Sequence, residues 1–535
     1  MKNNYLGCIC FALAGLLVSC TTAKPTGMRA ENLTFNPNAY TTGSITVDGK
    51  AVNYRAYEGI TYVANPVETT HTAWQQMNIY VPESAYNDQS APIFFKNEIG
   101  GYMPADPAQI SAASRDGSPS AIQRALAKGY VVVSPGARGR TSQEVYNPGD
   151  NPFAPAKEAS GDYIGKAPAA IVDLKAAVRY LRYNDAVMPG DAEKIISDGT
   201  SAGGAMSALL GASGNNPLYE TYLKEIGAAD TRDDIFAVIS FCPITDLEHA
   251  DMSYEWLYST MNDIRKKNTG GGFPGGGAGA FGSPDARMPG NPVNQSTLPV
   301  LRDDEKALSA ELAALFPEYL GSLGLVKADG AVLTAADALN GVYLNYIKEF
   351  VIVSAQEAFN KASDKNSFKS TYSWLVFDST GTVIKDINFP VYLAYVMDKQ
   401  PLKPVPAFDS LGVLGGASSG ENDTFGTAAI NGNNFTGFSW YKNAANQGTF
   451  PDEIKERAYL MNAMNFIGAQ NTDTAQNWYI RHGTIDRDTA FTVSVNLYTK
   501  LLNKGYDVNY KLAWERPHSG DYNLDEVFAW IAGIK

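Results

Sequence analysis

Residues 194 to 206 read Lys-Ile-Ile-Ser-Asp-Gly-Thr-Ser-Ala-Gly-Gly-Ala-Met and set Ser201 between Gly199 and Gly203, after a short β-type run and before an alanine-rich helical segment. A serine on a sharp strand-to-helix turn takes a strained backbone conformation, which holds its hydroxyl exposed and needs small neighbours on either side. The helix that follows points free backbone N–H groups at the same spot, where they suit a developing negative charge. Acyl transfer to a serine needs both features. The pattern alone is cheap in a chain with 49 glycines, and it recurs at Gly416-Ala417-Ser418-Ser419-Gly420. Ser418 lies in the glycine- and serine-rich run Gly412 to Gly420, with no strand signal before it and no alanine-rich helix after it, so that copy reads as loop. Ser201 is the expected nucleophile.

A serine hydroxyl needs a base to take its proton, and the base needs an acid to orient it. The chain offers four histidines, His71, His249, His482 and His518. Where a nucleophile elbow tops a parallel sheet, the order along the chain is serine, acid, histidine, with the last two on loops after the final strands. His518, in Trp514-Glu-Arg-Pro-His-Ser-Gly-Asp521, fits that order best. The acid belongs between Ser201 and His518, and Arg481-His-Gly-Thr-Ile-Asp-Arg-Asp488 supplies two candidates two residues apart. Asp486 is the better of them, with Gly483 allowing a turn under the imidazole, which leaves Asp488 to face a substrate. Two backbone donors must meet an oxyanion. One is the amide of Ala202, directly after the serine. The other is expected from Lys96-Asn-Glu-Ile-Gly-Gly-Tyr102, with Gly101 favoured.

These residues need a framework that brings strand ends together. Met77–Val81, Ala91–Phe95 and Tyr130–Ser134 read as strands closed by Pro, Gly or polar residues. Pro119–Lys128 and Ala167–Asn184 read as helices, the second with Ile171, Leu174, Val178 and Leu181 along one face. Phe236–Cys242 is another apolar, strand-like run, in which Cys242 is expected to pack as a small buried side chain. Strands alternating with helices predict a mostly parallel central sheet covered on both faces, an α/β-hydrolase arrangement. The rhythm breaks after Asp246 and returns at Asn477–Arg481, a helix near Thr489–Lys504, and Val508–Trp514. Between them lie long helical stretches, Asp304–Leu323 and Asn340–Lys361, and a glycine run at Gly270–Gly282 that no strand feeds, which argues against phosphate binding. The organisation expected is a signal segment 1–20, a tether 21–44, a first core part 45–246, an inserted, mainly helical lid 247–474, and a second core part 475–535.

Composition narrows the partners. With 43 basic and 56 acidic residues the 535-residue chain carries a net charge of −13 and has no basic cluster, so nucleic acid is excluded as an expected partner. Met1-Lys2 precedes an apolar run over residues 5–18, too short to span a membrane, which ends Leu17-Val-Ser-Cys20. This resembles a bacterial lipobox. It implies export, lipidation of Cys20, and a membrane association made only through that anchor. Without Cys8, Cys10 and Cys20, the remaining thiol is Cys242, so no intrachain disulfide is expected. No zinc-ligand spacing occurs; neither metal nor organic cofactor is expected.

From about Gln75 to the C-terminus the chain resembles the bacterial tannase family of α/β-hydrolases, esterases that cleave gallic acid esters. The resemblance is carried by Met77-Asn-Ile-Tyr-Val-Pro-Glu83, Asp198-Gly-Thr-Ser-Ala-Gly-Gly204, Pro406-Ala-Phe-Asp409, Gly420-Glu-Asn422, Arg481–Asp488 and His518-Ser-Gly-Asp-Tyr522. It implies Ser201, Asp486 and His518 as a triad. It also implies that Asp488, Lys403 and Glu421 read the phenolic hydroxyls of a galloyl ring, since carboxylates accept from phenol O–H groups and an ammonium donates to a phenol oxygen. The activity implied is an exported serine esterase acting on small aromatic esters. Three rivals stand beside it: a feruloyl esterase, a peptidase of the prolyl-oligopeptidase kind, which only some 50 residues before the first motifs disfavour, and a surface lipoprotein that binds polyphenol or glycan without catalysis. The oligomeric state is not expressed in the sequence.

Overall fold

Alternate residues along the central strands go to opposite sides, as the two-residue period of an extended chain requires. Ile93 and Phe95, Val131 and Val133, and Trp478 and Ile480 pack into one apolar cluster. Phe94, Val132 and Tyr479, between them in sequence, pack into a second. A strand that is apolar on both sides must be covered on both, which is why these runs lack polar alternation.

The computed structural model describes residues 33–111, 114, 117–146, 161–266, 298–335, 341–412 and 418–534. The expected signal segment 1–20 with Cys20, and the glycine run Gly270–Gly282, lie outside the described residues. The core strands are β1 (Thr41–Val47), β2 (Lys50–Thr61), β3 (Gln76–Pro82), β4 (Pro92–Lys96), β5 (Val131–Pro135), β6 (Asp191–Thr200) and β7 (Ala237–Phe241). Helices α1 (Ala121–Ala127), α2 (Ala169–Tyr183), α3 (Ala202–Ala212) and α4 (Glu220–Glu225) run between or after them. An insert follows, with α5 (Leu247–Tyr258), α6 (Asp303–Ser322), α7 (Gly341–Lys361), α8 (Lys365–Thr371), the hairpin of β8 (Leu375–Phe377) and β9 (Ile384–Ile387), α9 (Phe389–Lys399), α10 (Gly420–Thr424), α11 (Gly437–Lys442) and α12 (Asp452–Leu460). The core resumes with β10 (Asn477–Gly483), α13 (Phe491–Asn503), β11 (Asp507–Ala513) and α14 (Leu524–Gly533).

The nine core strands form one sheet in the order β1-β2-β3-β5-β4-β6-β7-β10-β11. Pairing is parallel from β5 to β11 and antiparallel from β1 to β5. The insert enters after β7 and leaves before β10, yet those strands are neighbours in the sheet, Arg481 lying opposite Phe241. More than two hundred residues can therefore intervene without disturbing the sheet, and the carboxyl ends of β4, β6, β7 and β10 stay side by side.

The expected tether ends earlier than residue 44. Leu33 and Phe35 are buried, Phe35 packs against Tyr57 with the rings tilted and their centroids 4.8 Å apart, and Asn184 binds both backbones, accepting from the Phe35 N–H at 2.8 Å and donating to the Leu33 carbonyl at 2.9 Å. Two apolar side chains among the polar residues of this stretch are enough to fasten it, and β1 has begun by Thr41. The β1–β2 hairpin carries no apolar strand signal at its start, because Thr, Ser and Gly dominate its first strand.

Candidate active site

Ser201 is the single residue between β6 and α3, with φ 61° and ψ −122°. A non-glycine residue there carries strain of about 1–3 kcal/mol, held in place by the strand and helix on either side. The glycines are required by contact rather than by conformation. A Cβ on Gly199 would lie 2.2 Å from the Gly203 carbonyl oxygen, and one on Gly203 would lie 2.5 Å from the Ile99 oxygen. The strand, the helix and the loop after β4 therefore touch through bare backbone.

The side chains converge from three strand ends. His518 Nε2 stands 2.6 Å from Ser201 Oγ, and His518 Nδ1 stands 2.7 Å from Asp486 Oδ2. The other carboxylate oxygen of Asp486 accepts from the backbone N–H groups of Asp488 at 2.8 Å and Thr489 at 3.3 Å. Ser201, Asp486 and His518 are each less than a tenth exposed. With Nδ1–H donated to Asp486, Nε2 offers its lone pair to the serine proton. Burial disfavours a charged imidazole at His518, but Asp486, and with it Cys242, outweigh burial and raise the pKa above the usual histidine value. Asp486 moves the other way: burial raises it, and His518 and His482 more than reverse that, so it is held below its ordinary value. The arrangement can pass a serine proton to an imidazole and stabilise the resulting cation.

Ala202 opens α3, so its N–H belongs to the first helical turn, which has no intrahelical acceptor. Gly101 has φ +57°, a left-handed value that favours glycine, and lies in the loop whose Ile99 oxygen packs on Gly203. Asn97 at the start of that loop donates to the Gly203 oxygen at 3.2 Å and to Ser207 Oγ at 2.9 Å, tying it to α3.

Lys403 and Glu421, both in the insert, form an ion pair at 3.5 Å. Tyr254 on α5 connects Lys403 to the acid segment: its hydroxyl accepts from the Lys403 N–H at 3.1 Å and donates to the Arg487 carbonyl at 2.6 Å. Asp488, one residue on, is buried. Arg140 connects Glu421 to the other side, since its N–H donates to the Tyr102 carbonyl at 2.8 Å and its guanidinium to Asp423 on α10 at 2.9 Å. Lys403 and Glu421 are thus tethered to the loops carrying Asp488 and Gly101, respectively.

The other histidines differ. His71 pairs with Asp106 at 2.7 Å, and His249 pairs with Asp246 at 2.7 Å while stacking on Tyr319. His482 enters the site: fully buried, its Nε2 is 3.1 Å from the Thr489 oxygen and 3.4 Å from Asp486 Oδ2. Burial lowers its pKa against the opposing pull of Asp486. Gly483 opens the expected turn, its carbonyl accepting from the Asp486 N–H at 3.2 Å, and it also lets β10 pass the loop before His518, where a Cβ would meet the Arg516 oxygen at 2.0 Å. Cys242 is buried as expected, but its sulfur lies 3.9 Å from His518 Nε2 and 3.4 Å from the Ser519 oxygen. No metal-ligand spacing in the sequence points there, and its place at the end of β7 was the signal available.

Two further buried residues serve the framework. Asp409 is completely buried and accepts from Asn422, Asn434 and Thr436, which closes the loop between Lys403 and α10. Arg265, paired with Glu255 at 2.6 Å, donates to the Lys403 carbonyl at 2.7 Å.

The BD-FAE family model matches residues 162–270, which include the elbow and β7. No curated protein matches the chain. Among solved structures, the tannase of Fusobacterium nucleatum is 41% identical, with a TM-score of 0.79 covering 94% of this chain and 99% of that one. The tannin acyl hydrolase of Lactobacillus plantarum is 36% identical, with a TM-score of 0.78 and the same coverages. A tannin acyl hydrolase solved in complex with ethyl gallate is 35% identical, with a TM-score of 0.78 and the same coverages.

Proposed function

The chain belongs to the tannase family of α/β-hydrolases and is a carboxylic ester hydrolase acting on aromatic esters; from that premise we propose that it cleaves gallate esters with Ser201 as nucleophile, His518 as general base and acid, and Asp486 as the orienting carboxylate. The observation that carries the reading is the imidazole held between Ser201 Oγ at 2.6 Å and Asp486 Oδ2 at 2.7 Å.

Ser201 Oγ attacks the ester carbonyl carbon as its proton passes to His518 Nε2. The amides of Ala202 and Gly101 donate to the oxyanion, where each such donor contributes about 3–4 kcal/mol to the barrier reduction. The C–O bond then breaks and the imidazolium gives its proton to the leaving alkoxide, freeing the alcohol. Water repeats the sequence on the acyl-enzyme and releases the acid. Asp488, Lys403 and Glu421 hydrogen-bond the ring hydroxyls, and a site built to satisfy several hydroxyls rejects rings that lack them.

Parallel hydrolysis of methyl gallate, methyl ferulate and methyl benzoate tests this. Preference for methyl gallate supports the reading, whereas equal or better turnover of ferulate makes the enzyme a feruloyl esterase. The leader supports a second element of the proposal, export with a lipid anchor on Cys20. Replacing Cys20 by Ala should move the protein from the membrane fraction to the soluble one; unchanged fractionation would refute the anchor.

A further inference from the structure

The loop that carries His518 is held against the strand that carries Ser201 by a buried ammonium. Lys96, the last residue of β4, places Nζ 2.9 Å from Asp198 Oδ2 and 2.8 and 2.7 Å from the two oxygens of Asp521. All three side chains are less than a twentieth exposed. Asp198 lies three residues before Ser201 and Asp521 three after His518, so one cation joins segments more than three hundred residues apart in the chain. Lys96 also leads directly into Asn97 and the Gly101 loop. It stands where three parts of the proposed machinery leave the sheet.

Two further features show that the histidine loop needs such a fastening. Asp521 has φ +54°, which a side-chain-bearing residue adopts only when its surroundings impose it. Gly520, beside it, lies flush on the elbow strand, and a Cβ there would come within 1.8 Å of Thr200 Oγ1. The loop approaches through glycine and is locked by Asp521 on Lys96. Stability does not account for the cluster, because a buried ion pair contributes little net once desolvation is counted. Here two carboxylates face one ammonium, burial raises the Asp198 pKa against the pull of Lys96, and Asp198 Oδ1 has no hydrogen-bond partner.

We propose that Lys96 is a positioning residue for ester cleavage: it fastens the His518 loop to the elbow strand and so holds the imidazole at the serine hydroxyl. The inference rests on the reading of Ser201 and His518 as nucleophile and base. Displacing a reacting group by about 1 Å costs on the order of a hundredfold in rate, so loosening this loop should act on kcat while leaving substrate affinity alone.

The test compares wild type with Lys96→Met, Asp521→Asn and the double variant, using methyl gallate turnover and the rate of fluorophosphonate labelling at Ser201. For Lys96→Met the expected result is a fall in kcat of about tenfold or more with KM changed less than about twofold, and a matching fall in labelling rate. The double variant should be no slower than Lys96→Met, because both changes remove one linkage. A cooperatively melting Lys96→Met protein with kcat and labelling within about twofold of wild type would overturn the inference, as would fully additive losses. If Lys96→Met does not fold, the near-isosteric Asp521→Asn decides alone, a kcat loss supporting and an unchanged kcat refuting. Wild type that neither turns over ester nor labels would defeat the proposed function instead.

Discussion

The chain writes Gly-x-Ser-x-Gly twice, and the two copies have become different things. Around Ser201 the pattern joins β6 to α3, the serine is buried in a strained conformation, and an imidazole stands 2.6 Å from its oxygen. Ser418 instead gives its hydroxyl to Asp423 Oδ1 at 2.9 Å, in a loop where the next residue, Ser419, caps the five-residue helix α10. Both serines are bonded, but one donates to a base and the other to a structural carboxylate that already binds Arg140. The pentapeptide supplies small neighbours; the strand, the helix and the histidine loop bring an imidazole to only one of the two serines.

The contrast can be broken first at the serines. Ser201→Ala should lower kcat on methyl gallate by about 10⁴-fold or more, measured against Ser418→Ala in the same assay. Asp486→Asn should follow closely, with a loss on the order of 10⁴-fold and a displaced pH profile. The proposed mechanism makes the base form of His518 the reactive one, and Asp486 raises its pKa, so wild-type kcat/KM should fall as pH drops through that raised value. Removing the charge lowers the His518 pKa, so in Asp486→Asn the limb should move to lower pH; a limb that stays put would contradict the assignment.

The substrate side should respond more moderately. Glu421→Gln and Asp488→Asn should each reduce the preference for methyl gallate over methyl benzoate by about tenfold to a hundredfold, read as the ratio of kcat/KM values. Smaller again is Gly203→Ala, whose Cβ would lie 2.5 Å from the Ile99 oxygen. The backbone must move, and a stability loss of about 1–3 kcal/mol is expected as a lower Tm. Ser418→Ala closes the series, with activity within about threefold of wild type.

What could be read beforehand divides along physical lines. The central strands and the long helices α2, α6, α7 and α13 were legible because an apolar period identifies them without knowledge of their partners. The hairpin β1–β2 was not, since its first strand is polar and exposed. At the site, Ser201, Asp486 and His518 could be picked out from local turn signals and chain order. Lys96 and Cys242 could not, because each meets residues distant in sequence; His482 could not because its contacts with Asp486 and Thr489 depend on how the turn after β10 folds. A lysine beside Asn97 looks like any surface charge until Asp198 and Asp521 close around it. Lys403 and Glu421 were named from family resemblance alone, and their tethers, Tyr254, Arg265 and Arg140, come from three separate segments that no spacing connects.

The most direct measurement is peptide mapping after fluorophosphonate treatment of wild type, Ser201→Ala and Ser418→Ala. A single adduct is expected on the peptide containing Ser201, present in wild type and Ser418→Ala, absent in Ser201→Ala, and accompanied by loss of ester hydrolysis. An adduct on Ser418, or hydrolysis that survives in Ser201→Ala, would contradict it.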